Sequence, residues 1–244
     1  MASTASSDLG VLRDSWRALA REPGAAGLLV LAGTLLGAVG PLLQRLLALP
    51  TDQTTTYLVG MAGMLPMELY FIPRFLLRLD ATGLDHPANP AGSWHATFEE
   101  RWLRTVLAKL GLDLAIVVGF IPFIVPALFV IFAFGWMPMR VLLRGENWRV
   151  AARESFALMR RGWRRAILMV SAALTLTFLV AAGLIVVGGL FLPSPESWND
   201  LKHPLVWVFN GISVAVNVWL NATLLAAYQR LEAYSPAASS EESR

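Results

Sequence analysis

The chain contains no cysteine, and only 15% of its residues are charged. The absence of cysteine excludes a disulfide framework, a thiolate nucleophile and a cysteine-based metal or iron–sulfur site. Soluble domains have about 25% charged residues. A chain that is 56% hydrophobic and this poor in charge has more apolar surface than a water-soluble fold can bury. The composition therefore predicts an integral membrane protein.

The sequence also lacks the motifs of common enzyme classes. Its three histidines are dispersed, and no His-Glu-x-x-His, Gly-x-Ser-x-Gly, P-loop or Gly-x-Gly-x-x-Gly motif is present. We therefore expect a protein that is not an enzyme and that has no metal ion or cofactor. Although the net charge is +3, we expect no nucleic-acid partner, because the basic residues flank the apolar segments.

Five apolar runs are long enough to cross a hydrocarbon core, which takes about 20 helical residues. They are Gly24–Leu43, Tyr57–Leu77, Leu110–Met139, Ala166–Leu192 and Pro204–Tyr228. Glu68 and Arg74 interrupt the second run. Asp113 is the one charge in the third run, and its spacing from Lys109 predicts an i,i+4 ion pair. The third run is unusually long, and it suits either one kinked crossing or two short ones.

The distribution of basic residues distinguishes these two possibilities. Lys and Arg concentrate in cytoplasmic loops, and the segments on both sides of Leu110–Met139 are strongly basic. A single crossing would put these segments on opposite sides of the membrane, whereas a hairpin at Pro122–Pro126 puts both in the cytoplasm. With the hairpin, eighteen of the twenty basic residues lie on one side, and Arg45 and Lys202 lie on the other. A shallow re-entrant hairpin would also place both basic segments in the cytoplasm.

We therefore predict an all-α polytopic membrane protein with about six transmembrane helices, cytoplasmic amphipathic connecting helices and both termini in the cytoplasm. Residues 1–232 form a single helical membrane domain that begins with an amphipathic segment over 8–22, and residues 233–244 form a disordered polar tail. The start of the chain lacks the basic region of a signal peptide, so we expect the first apolar run to be retained. Trp207 and Trp219 are expected to anchor the two ends of the last helix at the membrane interfaces.

Residues 147–165 have the pattern of a basic amphipathic helix. At about 100° per residue, one face gathers arginines and another gathers apolar and aromatic side chains. The first face has Arg149, Arg153, Arg160 and Arg164, and the second has Trp148, Ala152, Phe156, Met159 and Trp163. Such a helix lies in the membrane interface, with its rings at the acyl boundary and its guanidinium groups among phosphates. It serves either as a topology anchor or as a contact site for anionic lipid or a partner, formed by the four arginines with Trp148 and Trp163.

The stretch Ala152–Trp163 also carries a family resemblance. Its alanine, serine, leucine, glycine and tryptophan resemble a segment of bacterial six-helix integral membrane proteins, which include uncharacterised families and the membrane domain attached to some glycerophosphodiester phosphodiesterases. In that group a Pro-containing hairpin precedes the segment, and Tyr228–Leu231 is similar to their closing segment. The resemblance covers roughly residues 100 to 232 and implies a six-helix fold in a bacterial cytoplasmic membrane. No phosphodiesterase activity is carried over, because this sequence shows no soluble phosphodiesterase domain.

Polar residues inside the predicted crossings are candidates for a functional site, because such groups are costly in hydrocarbon. Glu68 lies between Pro66 and Pro73, which free backbone carbonyls inside a helix. It is either a proton- or cation-responsive carboxylate in a broken helix, as in transporters, or a carboxylate hydrogen-bonded to a neighbouring helix. Three asparagines on one face of the last helix either join helices or line a hydrated path. They are Asn210, Asn217 and Asn221.

These patterns give two functional hypotheses. The first is a non-catalytic scaffold or accessory protein that contacts anionic lipid headgroups or a partner through its cytoplasmic basic helices, the partner being a second copy or another membrane protein. The alternative is a small transporter or lipid-translocating protein that uses Glu68 and the asparagine face of the last helix.

Overall fold

The computed structural model describes residues 10–50, 53–83, 94–120, 124–191 and 203–233, and every regular element in these ranges is helical. The all-α prediction is therefore confirmed for the described residues. The predicted polar tail lies outside them from residue 234 onward, as do the hairpin tip at 121–123 and Lys202.

Ten α-helices follow one another in the described ranges. They are α1 (Gly10–Arg21), α2 (Pro23–Gly37), α3 (Val39–Leu46), α4 (Gln53–Pro66), α5 (Ile72–Gly83), α6 (Trp94–Phe120), α7 (Ile124–Phe134), α8 (Met137–Arg144), α9 (Trp148–Phe191) and α10 (Pro204–Ala233). A π-helical turn, Met67–Phe71, joins α4 to α5. Helix α1 covers most of the predicted amphipathic segment over residues 8–22.

Within the described ranges, four helical stretches are long and apolar enough to cross a membrane. They are Pro23–Leu46, Val125–Arg144, Trp148–Phe191 and Pro204–Ala233. Most side chains in their apolar windows face outward, as lipid-facing side chains do, since at most a third of each window is buried within the protein. These four stretches are fewer than the six predicted crossings, because charges and prolines interrupt Gln53–Gly83 and the first half of α6 is polar.

Between α6 and α7 the chain reverses direction, as the charge distribution predicts. At the closed end of this hairpin, a Cβ on Gly119 would lie 3.0 Å from the Ala127 Cα, so the two backbones touch. Farther along, Ala108 and Leu112 pack against Met137 and Val141. The two strongly basic segments on either side of the hairpin therefore lie at the same end of the molecule.

The open end of the hairpin is held by Arg101 and Gly145. The Arg101 guanidinium donates hydrogen bonds to the carbonyl oxygens of Leu142 (3.2 Å) and Leu143, which are left without helical donors where α8 ends. Gly145 ends α8 in the left-handed region at φ 68°, and a Cβ there would lie 2.8 Å from Arg101 Nε. Both the backbone conformation and the close contact therefore favour glycine at this position.

Helix α10 is the centre of the bundle, with α1, α2, α5 and α9 packed around it. Its buried residues join the largest core cluster, which also includes Met67 and Leu77 from the second helical run. The prediction that Trp219 anchors an end of this helix is wrong. Trp219 lies midway along α10, is 6% exposed and packs near Trp16 of α1 with ring centroids 6.4 Å apart.

The helical run from α4 to α5 is continuous rather than broken as expected, but two prolines interrupt its regular hydrogen bonding. Pro73 has no N–H, so the carbonyl of Leu69, four residues earlier, loses its usual helical donor. The indole Nε1 of Trp102 in α6 donates to that carbonyl at 2.7 Å. A side chain of a neighbouring helix therefore replaces the lost hydrogen bond. The π-helical turn just before Pro73 contains Glu68.

Candidate functional site

The predicted basic amphipathic helix forms the first part of α9. Asn147 precedes the helix, and its side-chain Oδ1 accepts a hydrogen bond from the Arg149 N–H at 3.2 Å. This contact is the expected one for an asparagine at a helix N-terminus, where the first N–H groups have no helical acceptor.

One face of this segment is fixed against the protein. Its buried residues are Ala151, Ser155, Leu158 and Met159. The Ser155 hydroxyl donates to the carbonyl oxygen of Ala133 at 3.0 Å, and Trp136 Nε1 donates to the Met159 sulfur at 3.3 Å. The apolar face predicted from the sequence is therefore divided, with Met159 directed inward while Trp148, Phe156 and Trp163 remain 58%, 41% and 51% exposed.

The arginine face points away from the protein. All four arginines are exposed, and the three that precede Gly162 lie about 135–175° around the helix from the centre of the buried face. They are Arg149, Arg153, Arg160 and Arg164. The guanidinium carbons of Arg149 and Arg164 lie 5.3 and 5.4 Å from the ring centroids of the adjacent Trp148 and Trp163, within cation–π range. The segment thus presents charge and exposed indole rings together on its outer surface.

The basic segment is continuous with a membrane-spanning stretch. Helix α9 has 44 residues, so it is about 66 Å long, roughly twice the ~30 Å hydrocarbon core. Its one break is at Gly162, which has non-helical angles of φ −121° and ψ 21°. The predicted amphipathic segment and the span that follows it are therefore two parts of a helix that kinks at Gly162.

The interior polar residues form a second candidate site. Asn217 Nδ2 of α10 donates to Glu68 Oε1 of the π-helical turn at 2.9 Å, and Asn221 Nδ2 donates to Asn217 Oδ1 at 2.6 Å. The structure therefore brings together Glu68, Asn217 and Asn221 from segments about 150 residues apart. The Glu68–Asn217 bond joins two helical segments, whereas the Asn221–Asn217 bond lies within α10.

A cavity of about 340 Å³ lies against this polar chain. It is bounded by α2 and α3, by α4 and by α10, and Asn217, Ser213 and Asn210 lie along its α10 wall. Gln44 and Thr56 line it on the other side and are hydrogen-bonded to each other at 2.9 Å. Asn210 therefore faces the same cavity as Asn217, two helical turns away. The site thus combines the hydrogen-bonded residues Glu68, Asn217 and Asn221 with an adjacent cavity that has polar side chains in its walls.

A network of charged residues at one end of the bundle was not predicted from the sequence. The Arg140 guanidinium contacts Glu146 at 2.6 Å and Glu232 at 2.8 Å, and its side chain is only 11% exposed. Glu232 also accepts hydrogen bonds from Arg144 at 2.6 Å and from the Tyr228 hydroxyl. We call these five residues the Arg140 network.

Further ion pairs and hydrogen bonds lie at the same end. Arg78 pairs with Glu22 at 2.8 Å, Gln229 bonds to Asp80, and Arg230 pairs with Asp14. The partners of these contacts and of the Arg140 network are separated by up to 216 residues in the sequence. Local spacing gives no signal for such pairs, apart from the i,i+4 relation of Tyr228 and Glu232.

No group of three or more potential metal ligands occurs within the part of the chain that the structure describes. No protein-family model, curated protein or solved structure matches this chain. The resemblance to bacterial six-helix membrane proteins therefore remains a prediction from the sequence.

Replacing one member of the Arg140 network should destabilise the bundle. Glu232→Gln leaves the buried charge of Arg140 with one carboxylate partner, and we expect a loss of about 3 kcal/mol in the free energy of unfolding. The predicted i,i+4 pair of Lys109 and Asp113 is present at 3.4 Å and half exposed, so Asp113→Asn should cost about 0.5 kcal/mol or less. Unfolding in mixed detergent micelles compares the two variants, and equal effects would contradict a structural role for the network.

Proposed function

We propose that this chain is a non-catalytic membrane protein of a bacterial cytoplasmic membrane that contacts anionic lipid headgroups through the basic segment at the start of α9. The observation that supports this most directly is the outward direction of its four arginines beside two exposed indole rings. Each Arg near an anionic leaflet contributes about 1 kcal/mol, so the four together suffice for a marked preference for anionic lipid.

The proposed topology has six crossings with both termini in the cytoplasm. The helical run from α4 to α5 and helix α6 would add two crossings to the four apolar stretches. The antiparallel hairpin supports this arrangement, since it brings the segments around Arg101 and Arg144 to one end of the bundle. In this topology the charged end, which includes the Arg140 network, faces the cytoplasm and its anionic leaflet.

The exposed basic surface serves a scaffold or accessory role better than a catalytic one. Its arginines are exposed, and Arg149 and Arg164 contact the faces of neighbouring tryptophans. Tryptophan prefers the headgroup level of a bilayer, so the same surface holds the helix at the interface. A second copy or another membrane protein with an acidic surface would meet the same charges.

Neutralising the four arginines should remove the preference for anionic lipid. In vesicles of phosphatidylglycerol and phosphatidylcholine, spin-labelled lipids measure which lipid the protein retains at its surface. We expect Arg149→Gln, Arg153→Gln, Arg160→Gln and Arg164→Gln together to abolish most of the preference for phosphatidylglycerol. The fourfold Arg→Lys variant, which keeps the charge, is the matched control and should retain it at low salt. An unchanged preference in the glutamine variant would exclude this surface as the lipid contact.

A second candidate function, that of a small transporter or lipid-translocating protein, is favoured by the cavity beside Asn217. The carboxylate of Glu68, in a π-helical turn between two prolines, resembles the arrangement that transporters use to hold a proton or cation. The polar wall of Asn217, Ser213 and Asn210 gives such a group a path toward the end opposite the Arg140 network.

Cysteine labelling tests whether this cavity is hydrated, and the absence of native cysteine makes the measurement specific. Small membrane-permeant thiol reagents react with thiolates, which form readily only where water reaches. If the protein is a transporter, Asn217→Cys and Glu68→Cys should label nearly as fast as the exposed control Arg149→Cys. Labelling as slow as that of the buried control Ala226→Cys would indicate a dry interior and exclude this candidate.

A further inference from the structure

A second, larger cavity opens on the outside of the hairpin. Its volume is about 790 Å³, and it lies between α6, the α7–α8 arm and the start of α9. The floor is apolar and buried, and it is formed by Ala108, Leu112, Met137 and Val141. We call this cavity the hairpin groove.

The groove has the dimensions of a site for a lipid chain. It follows one face of α6 from Arg104 to Ala115, a distance of about 16 Å along the helix axis. This distance is about half of the ~30 Å hydrocarbon core, which is the depth of one leaflet. An extended acyl chain therefore fits along the groove.

Gly111 keeps the groove open. A Cβ at this position would meet no atom within 4 Å. The neighbouring residues Leu107, Leu110 and Leu114 have large side chains, which are 45–65% exposed. The missing side chain at Gly111 thus leaves open space on a helix surface that is otherwise rich in leucine.

The mouth of the groove is polar and basic. Arg104 and Trp148 line it. Among the described residues Arg104 has no hydrogen-bond or ion-pair partner, whereas Arg101, one turn earlier in α6, is bound to the carbonyls that end α8. Arg104 is therefore available to an external anion at the point where the apolar groove begins.

We propose that the hairpin groove binds one anionic phospholipid, with an acyl chain along Gly111 and the phosphate at Arg104. This inference rests on the proposed function in that the ligand is the same class of lipid, but it assigns a specific site to residues outside the arginine face. Charge complementarity favours this ligand, because a positive mouth above an apolar floor matches a negative headgroup above an acyl chain. A lipid without a phosphate or an apolar partner helix would fill the floor but leave the charge of Arg104 unpaired, and the choline of phosphatidylcholine would compete with Arg104 for the phosphate charge.

Native mass spectrometry of the purified protein with added phosphatidylglycerol tests the proposal. We expect the unaltered protein to retain one lipid through mild activation. Gly111→Phe fills the groove and should abolish this retention, and Ala115→Phe, at the other end of the same wall, is a second filling variant in case the first does not fold. Gly183→Phe is the matched control, because it adds the same ring at an exposed α9 glycine that also has open space around it. Retention by both filling variants would overturn the site.

The charge of Arg104 is tested separately with phosphatidylcholine as the competing lipid. Arg104→Gln should reduce the preference for phosphatidylglycerol about fivefold, and Arg160→Gln, an exposed arginine outside the groove, should not change the lipid retained in the groove. An unchanged preference in Arg104→Gln would overturn the headgroup assignment. The fourfold glutamine variant of the arginine face should still retain the groove lipid. The groove variants therefore test this proposal, and the fourfold variant tests the proposed function independently.

Discussion

The contact of Arg140 with Glu146 and Glu232 is the interaction on which the arrangement of the charged end depends. Helices surrounded by lipid gain little from hydrophobic association, so packing and polar contacts determine which helices meet. Arg140 lies at the end of the hairpin, Glu146 just before α9, and Glu232 at the end of α10. One nearly buried guanidinium therefore ties together three segments, and it fixes where α9 begins. The outward direction of the arginine face and the shape of the groove mouth both follow from that position.

A second constraint acts in the interior of the bundle, because a polar group without a hydrogen-bond partner is costly in hydrocarbon. The carbonyl freed by Pro73 is compensated by Trp102, and the carboxylate of Glu68 is compensated by Asn217. Both contacts use side chains of other helices. These two hydrogen bonds therefore hold the second helical run against its neighbours. Asn217, which takes part in one of them, also lines the cavity.

Much of this fold was predictable from the sequence, because basic residues and apolar runs report directly on the membrane. The reversal between α6 and α7 follows from the distribution of basic residues, and the basic face of α9 follows from helical periodicity. The pairing of Glu68 with Asn217 and the Arg140 network join residues far apart in the chain, and periodicity has no information about such contacts. Trp219 shows the same limit, since its amphipathic ring suits an interface but the position of α1 buries it. The hairpin groove depends on the absence of a side chain at Gly111, which the sequence does not distinguish from its other glycines.

The central claim, that the start of α9 lies at a lipid surface with its arginines among headgroups, is tested most directly by single nitroxide labels in phosphatidylglycerol-containing vesicles. Labels at Arg153→Cys and Phe156→Cys lie on the arginine face and on its aromatic flank, and both positions are exposed. If the helix lies at the interface, the label at 156 is relaxed mainly by oxygen, which concentrates in lipid, and the label at 153 mainly by a polar nickel chelate. Equal and high nickel accessibility at both positions would mean that this helix stands in water and would exclude the proposed lipid contact.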